Sequence, residues 1–106
     1  MERLPHWKVM EEYDLPMLEK IEPWREHLFH EGVLPRKTKE LVIMAMAVQA
    51  RFLPGVKIHA GYAMDQGATE AEIFEVCALS LLIGGVPSYR ESVLTVKELF
   101  EERGGD

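Results

Sequence analysis

The 106-residue sequence holds a single cysteine, Cys77, and so lacks the material for an intrachain disulfide, a disulfide framework or a cysteine-based zinc knuckle. It also lacks a long apolar run: the longest, Leu41 to Val48, is eight residues, against about 20 needed to span a bilayer, so no membrane partner is expected. The opening residues, Met1-Glu2-Arg3-Leu4-Pro5-His6-Trp7, contain no apolar stretch followed by a small-residue cleavage site. No secretory signal is read there, and a cytoplasmic location is the default expectation. Positive charge is scarce too, with 12 basic residues against 18 acidic and a net charge of -6. That balance disfavours attraction to a phosphate backbone, so no nucleic acid partner is expected. The one short basic run, Arg36-Lys37-Thr38-Lys39, reads as a solvated turn ahead of a helix rather than as an anion site.

What is present is the composition of a folded protein: 47% hydrophobic and 28% charged residues, far from the apolar-poor composition of disordered chains. The length suits one modest domain, read here as residues 1–106. So short a chain leaves much of its surface exposed, and strongly apolar helices within it point to cover by other subunits, hence to a homo-oligomer.

Proline and glycine divide the chain into helix-length pieces, proline near the starts and glycine near the ends. Residues 1–13 show no sustained period and read as an N-terminal arm. Asp14-Leu15-Pro16 then offers a cap, a short helix is expected from Pro16 to Glu22, and Pro23 is expected to kink or restart it before Gly32 stops it. Pro35 opens a helix whose segment Leu41–Val48 is apolar on every face, the pattern of a central helix that needs neighbours all round. Pro54-Gly55 begins a third helix that ends at Gly67. Thr69-Glu70-Ala71-Glu72 is a capping box opening a fourth, which ends at Gly84-Gly85, and Pro87 begins the last. No segment alternates with period two, so the fold class is all-α.

Four histidines are the first candidates for chemistry, because imidazole titrates nearest neutrality. His27 and His30 lie three apart beside Glu26 and Glu31, but neither order nor spacing matches a His-Glu-x-x-His metal motif, and they read as surface helix residues. His6 lies in the arm. His59 differs: it sits in the small, apolar stretch Gly55–Ala63, directly after the turn that follows the central helix, and a buried histidine needs a partner. Glu40, at the apolar boundary of the central helix, comes within reach if the two helices form a hairpin. Two readings are open on spacing alone, a proton relay with the carboxylate fixing the imidazole, or a satisfied core histidine beside a first-turn glutamate.

The stretch Leu34-Pro35-Arg36-Lys37-Thr38-Lys39-Glu40-Leu41, followed by His59 to Ile73, resembles the core of the carboxymuconolactone decarboxylase-like family, which includes alkylhydroperoxidase D. Its most specific parts are Lys37-x-x-Glu40-Leu41, then His59, then Gly67-Ala68-Thr69-x-x-Glu72-Ile73, and the likeness covers about Leu34 to Pro87. It implies an alkylhydroperoxidase D-like bundle of about five or six helices, assembled as a trimer or hexamer. In the peroxidase branch a Cys-x-x-Cys pair precedes the histidine, and a glutamate one helix earlier completes the relay. Glu40 and His59 match the relay positions, whereas Phe52 and Gly55 occupy the cysteine positions. Neither can form the thiolate that attacks peroxide, so the dithiol mechanism is absent.

The resemblance therefore implies a decarboxylase-like or related lyase reaction on a small carboxylated lactone or keto acid, with neither metal nor organic cofactor. His59 would be its acid–base residue and Glu40 the partner. Arg51, Phe52, Gly55 and Lys57 are the candidate substrate-binding residues, with Arg51 or Lys57 anchoring a carboxylate. The free amides at Pro54-Gly55 could hold an anion, although an ordinary helix start is the simpler reading. Two other functions stay open, a peroxidase-like member without its dithiol and a noncatalytic oligomeric binding or scaffold protein. Cys77 belongs to the apolar stripe of the fourth helix and reads as a small core hydrophobe.

Overall fold

The computed structural model describes residues 4–104, and the chain divides into two compact units, Met1–Val33 and Leu34–Asp106. The N-terminal unit is a pair of helices, α1 (Pro5–Tyr13) and α2 (Leu15–His30). Asp14 serves both, ending α1 and capping α2 through its carboxylate, which accepts the Met17 amide at 3.1 Å. The expected arm is thus helical from Pro5 onward, while residues 1–3 lie outside the described residues. No residue of α1 is buried, and nine residues give periodicity little to register. Side-chain stacking ties it down instead: the Arg25 guanidinium of α2 lies 4.5 Å from the Trp7 ring centre and 5.5 Å from that of Phe29.

The helix expected to kink or restart at Pro23 is not restarted there, as α2 keeps its helical backbone on both sides of the proline. The ring removes one ladder donor, yet Arg25 just beyond it is held by Trp7, and the second half stays helical.

The C-terminal unit contains α3 (Arg36–Gln49), α4 (Leu53–Asp65), α5 (Glu70–Leu79), a 3₁₀ turn at Ser80–Leu82 and α6 (Val86–Gly104). Among the described residues there is no strand. Its core joins Met44 and Val48 of α3, Val56, Ala60 and Ala63 of α4, Ile73 and Cys77 of α5, and Val96 and Leu99 of α6. The small residues of α4 let its neighbours approach closely. At Gly61 an added Cβ would lie 3.3 Å from the Arg103 guanidinium, which donates to the Gly61 carbonyl at 3.0 Å and to Asp65 at 2.9 Å.

The turns explain the order of the helices. Gly67 adopts a left-handed backbone (φ 97°) beyond the end of α4, where the Ala68 amide reaches the Ala63 carbonyl at 2.9 Å and the Gly67 amide that of Met64 at 3.0 Å. This is a Schellman closure with glycine at its usual place. The same pair of bonds closes α3, from Phe52 to Ala47 at 2.9 Å and from Arg51 to Val48 at 3.0 Å, but there the left-handed residue is Arg51 (φ 58°). The expected capping box is present, Thr69 accepting from the Glu72 amide at 3.1 Å and Glu72 from the Thr69 amide at 2.9 Å. Glu72 also accepts from Lys37 of α3 at 3.0 Å, which links the starts of α3 and α5.

The central helix is not surrounded within its own unit. Glu40, Met44 and Val48 are buried, whereas Val42, Ala45 and Met46 are exposed, Met46 to 62%. This outer face forms an apolar groove of about 490 Å³ with Val76, Leu79 and Ile83. The other helices of the unit suffice to cover one side of α3 and no more. No helix among the described residues is long and apolar enough to cross a membrane.

Candidate functional site

Glu40 lies one turn into α3, on the side turned toward the core, and is fully buried. A buried carboxylate is costly unless both oxygens are engaged, and here both are. Oε2 accepts from Arg36 Nε at 2.7 Å, and Oε1 is 2.8 Å from Nδ1 of His59. The two glutamate partners come from different places, Arg36 from the preceding turn of the same helix and His59 from α4, 19 positions along the chain. The α3–Schellman turn–α4 hairpin is what brings them together. Tyr62, one turn beyond His59, meets the imidazole edge-on, with ring centres 5.5 Å apart.

Burial on its own pushes the Glu40 carboxyl upward, but the hydrogen bonds from His59 and Arg36 and the charges behind them more than reverse this, leaving it below its usual range. Glu40 is therefore an ionised carboxylate that can only accept. An ionised Glu40 takes this bond only from a protonated Nδ1 of His59, the tautomer in which a neutral ring keeps its lone pair on Nε2.

Arg36 is the member of this cluster that reading the sequence as a solvated basic turn passes over. Its signal was the four-residue spacing to Glu40, which places the two on one helix face.

The other candidate residues are arranged differently. Arg51 donates from Nε to Glu91 of α6 at 2.9 Å, with Nη2 on the other carboxylate oxygen. Lys57 donates to Glu98 at 3.1 Å and Glu102 at 2.6 Å, also on α6. Both cations are thus committed to α6, whereas His59 turns toward α3. Phe52 and Gly55 do meet, since a Cβ on Gly55 would come within 2.6 Å of the Phe52 ring. The apolar groove does not adjoin the pair: at about 100° per residue its lining positions Thr38, Val42, Ala45 and Gln49 fall on the opposite side of α3 from Glu40.

Cys77 is buried in the core, and burial pushes its thiol above the usual range, the reverse of an activated nucleophile. His27 pairs with Glu31 at 3.5 Å and His30 with Glu26 at 3.4 Å, on exposed side chains of α2. His6 packs beside Trp7 in α1, with ring centres 4.7 Å apart.

Fold and site together define an all-α protein in which a helical hairpin holds a buried carboxylate against an imidazole, with one thiol only and that one sequestered in the core. Residues 16–98 match the model of the carboxymuconolactone decarboxylase family, and the chain belongs to that family. An uncharacterised protein of Cupriavidus necator, H16_B0147, is 37% identical over 57 residues, which cover 54% of this chain and 50% of that protein. The chain thus spans about half the length of this curated relative. The crystal structure of apo-lpg0406, a carboxymuconolactone decarboxylase family protein from Legionella pneumophila, matches with a TM-score of 0.75 at 23% identity. It covers 89% of this chain and 87% of that one, and the likeness establishes the shared fold.

Proposed function

We propose that the chain is an acid–base catalyst of the decarboxylase or related lyase type, acting without a cofactor on a small carboxylated lactone or keto acid. The observation that carries this reading is the Arg36–Glu40–His59 chain of hydrogen bonds, which holds Nδ1 of His59 against a buried carboxylate. In the decarboxylation, the bond between the carboxylate and its neighbouring carbon breaks, its electron pair delocalises into the adjacent carbonyl, and carbon dioxide leaves. The Nε2 lone pair takes up one proton from solvent, the resulting imidazolium of His59 delivers that proton to the carbon and returns to the neutral ring, and Glu40 stabilises the charged ring while it holds the proton.

For Arg51 or Lys57 to anchor the substrate carboxylate, the incoming anion must exchange with a glutamate of α6. Such exposed pairs are weak enough to be exchanged.

A homo-oligomer, trimer or hexamer, is part of the same proposal. Its support is the uncovered apolar face of α3 and the run beyond α5, where Leu82 and Ile83 are exposed to 78% and 82%. Apolar patches of this kind are seldom left to water. Light scattering on the wild type and on Met46→Lys tests it, with a fall in mass expected for the variant.

The function is tested by a thermal-shift screen of carboxylated lactones, keto acids and hydroperoxides on the wild type and on His59→Ala, followed by assay of carbon dioxide release from each stabilising ligand. A carboxylated ligand that stabilises only the wild type and is decarboxylated supports the proposal. Ligands that stabilise both proteins equally, or none at all with both keeping the same mass, would favour a noncatalytic scaffold.

A further inference from the structure

We propose that Arg36 is a positioning residue that sets the tautomer of His59 through Glu40. Arg36 bonds in this cluster to the carboxylate. It occupies Oε2 of the carboxylate through Nε at 2.7 Å, which fixes the carboxylate plane and supplies the charge that keeps Glu40 ionised. With Oε2 taken, Oε1 is the atom that faces His59, and an ionised oxygen accepts only a protonated Nδ1.

A second observation points the same way. The first turn of α3 carries Arg36, Lys37 and Lys39 and no acidic residue. Helix N-termini favour negative charge, so this is the wrong sign for the helix itself. Lys37 is paired with Glu72 of α5 and Arg36 with Glu40. A local rule broken at such a place signals a demand made elsewhere, here by the buried carboxylate. The Arg36 side chain is 27% exposed while that of Glu40 is fully buried, so the cation reaches the carboxylate from nearer the surface.

Without this charge two events lead to the same end. A neutral Glu40 carboxyl, favoured by burial, would donate to Nδ1 and leave the ring proton on Nε2. An ionised but unanchored carboxylate would release the ring, which in water prefers the Nε2–H form. By either route Nε2 loses the lone pair that a base needs. The inference rests on reading His59 as an acid–base residue, but its test does not. If the tautomer depends on Arg36 and no substrate is turned over, the positioning holds and the catalytic reading falls.

The experiment is a long-range ¹H–¹⁵N spectrum of histidine-labelled protein at about pH 8.5, about two units above the ordinary imidazole value, with His59 assigned by comparison with His59→Asn. In the wild type Nδ1 is expected at the pyrrole-type shift and Nε2 at the pyridine-type shift. In Arg36→Gln and Arg36→Met the Nε2 resonance should move to the pyrrole-type region, and in Arg36→Lys, which keeps the charge and a donor, it should stay. A wild-type ring protonated on Nε2, or neutral variants that keep the wild-type tautomer, would overturn the proposal. So would failure of both neutral variants to fold while Arg36→Lys folds, because Arg36 would then be a requirement of the fold rather than of the ring.

Discussion

Removing the Glu40 side chain should be among the most damaging single changes in the C-terminal unit. In Glu40→Ala, a guanidinium and an imidazole N–H lose a common acceptor at 2.7 and 2.8 Å, and a fully buried volume is emptied. Breaking a buried pair costs about 3–5 kcal/mol, and the low end applies because Arg36 and His59 both keep some access to water. At about 4–8 °C per kcal/mol for a domain of this size, melting should fall by about 12–24 °C. Glu40→Gln keeps the shape and one acceptor but sets an amide N–H against a donor, so about 1–3 kcal/mol is expected.

The pH dependence gives the argument its sign. A carboxyl held below its usual value in the fold stabilises the protein above the unfolded value of 4.5, and that contribution is lost as pH falls through the folded value. The gap between wild type and Glu40→Gln should therefore be full at neutral pH and narrow below pH 4.5. Far-UV circular dichroism is the right probe, because it reads the helices of the C-terminal unit, whereas both tryptophans, Trp7 and Trp24, lie in the N-terminal unit. A Glu40→Ala protein that melts within about 4 °C of the wild type, or a gap that widens in acid, would refute the reasoning.

Arg51→Gly should melt above Arg51→Ala in calorimetry, since glycine removes the left-handed strain and alanine keeps it while both lose Glu91. Gly55→Ala drives a Cβ against the Phe52 ring and should cost about 1 kcal/mol, the low end for overpacking because the exposed ring can turn aside. The same change in a Phe52→Ala background should cost less, as a double-mutant cycle in urea will read. Arg25→Ala removes the cation stacked on Trp7 and Phe29, and tryptophan-detected unfolding of the N-terminal unit should weaken by about 0.5–1 kcal/mol per lost ring contact.

Much of the helix order in the C-terminal unit was legible because its signals are local. Gly67 and the Thr69–Glu72 box fall where a helix must end and another begin, and both do their work within a few residues. The approach of Glu40 to His59 was legible as well, because two helices joined by a short turn must run back along each other. Helix α1 was not, since it is nine residues long with none of them fully buried, and it is held by a stack across a turn that periodicity does not register. The commitment of Arg51 and Lys57 to α6 was hidden for another reason: their partners stand 40 to 45 positions away on a helix whose acidic residues look like an ordinary solvated face. Arg36 escaped notice because it was read as one of a run of cations, when its spacing to a single carboxylate was the informative feature.

The turn between α3 and α4 has a chemical consequence of its own. A peroxidase that cycles a dithiol at such a turn depends on a reductant to reset it, and its backbone must accommodate both a closed and an open pair of sulfurs. Here an aromatic ring lies against bare glycine backbone, and the one thiol of the chain is locked in the core. The hairpin is thereby uncoupled from the redox poise of its surroundings, and the geometry of Glu40 and His59 should be the same in the presence of oxidant or of thiol.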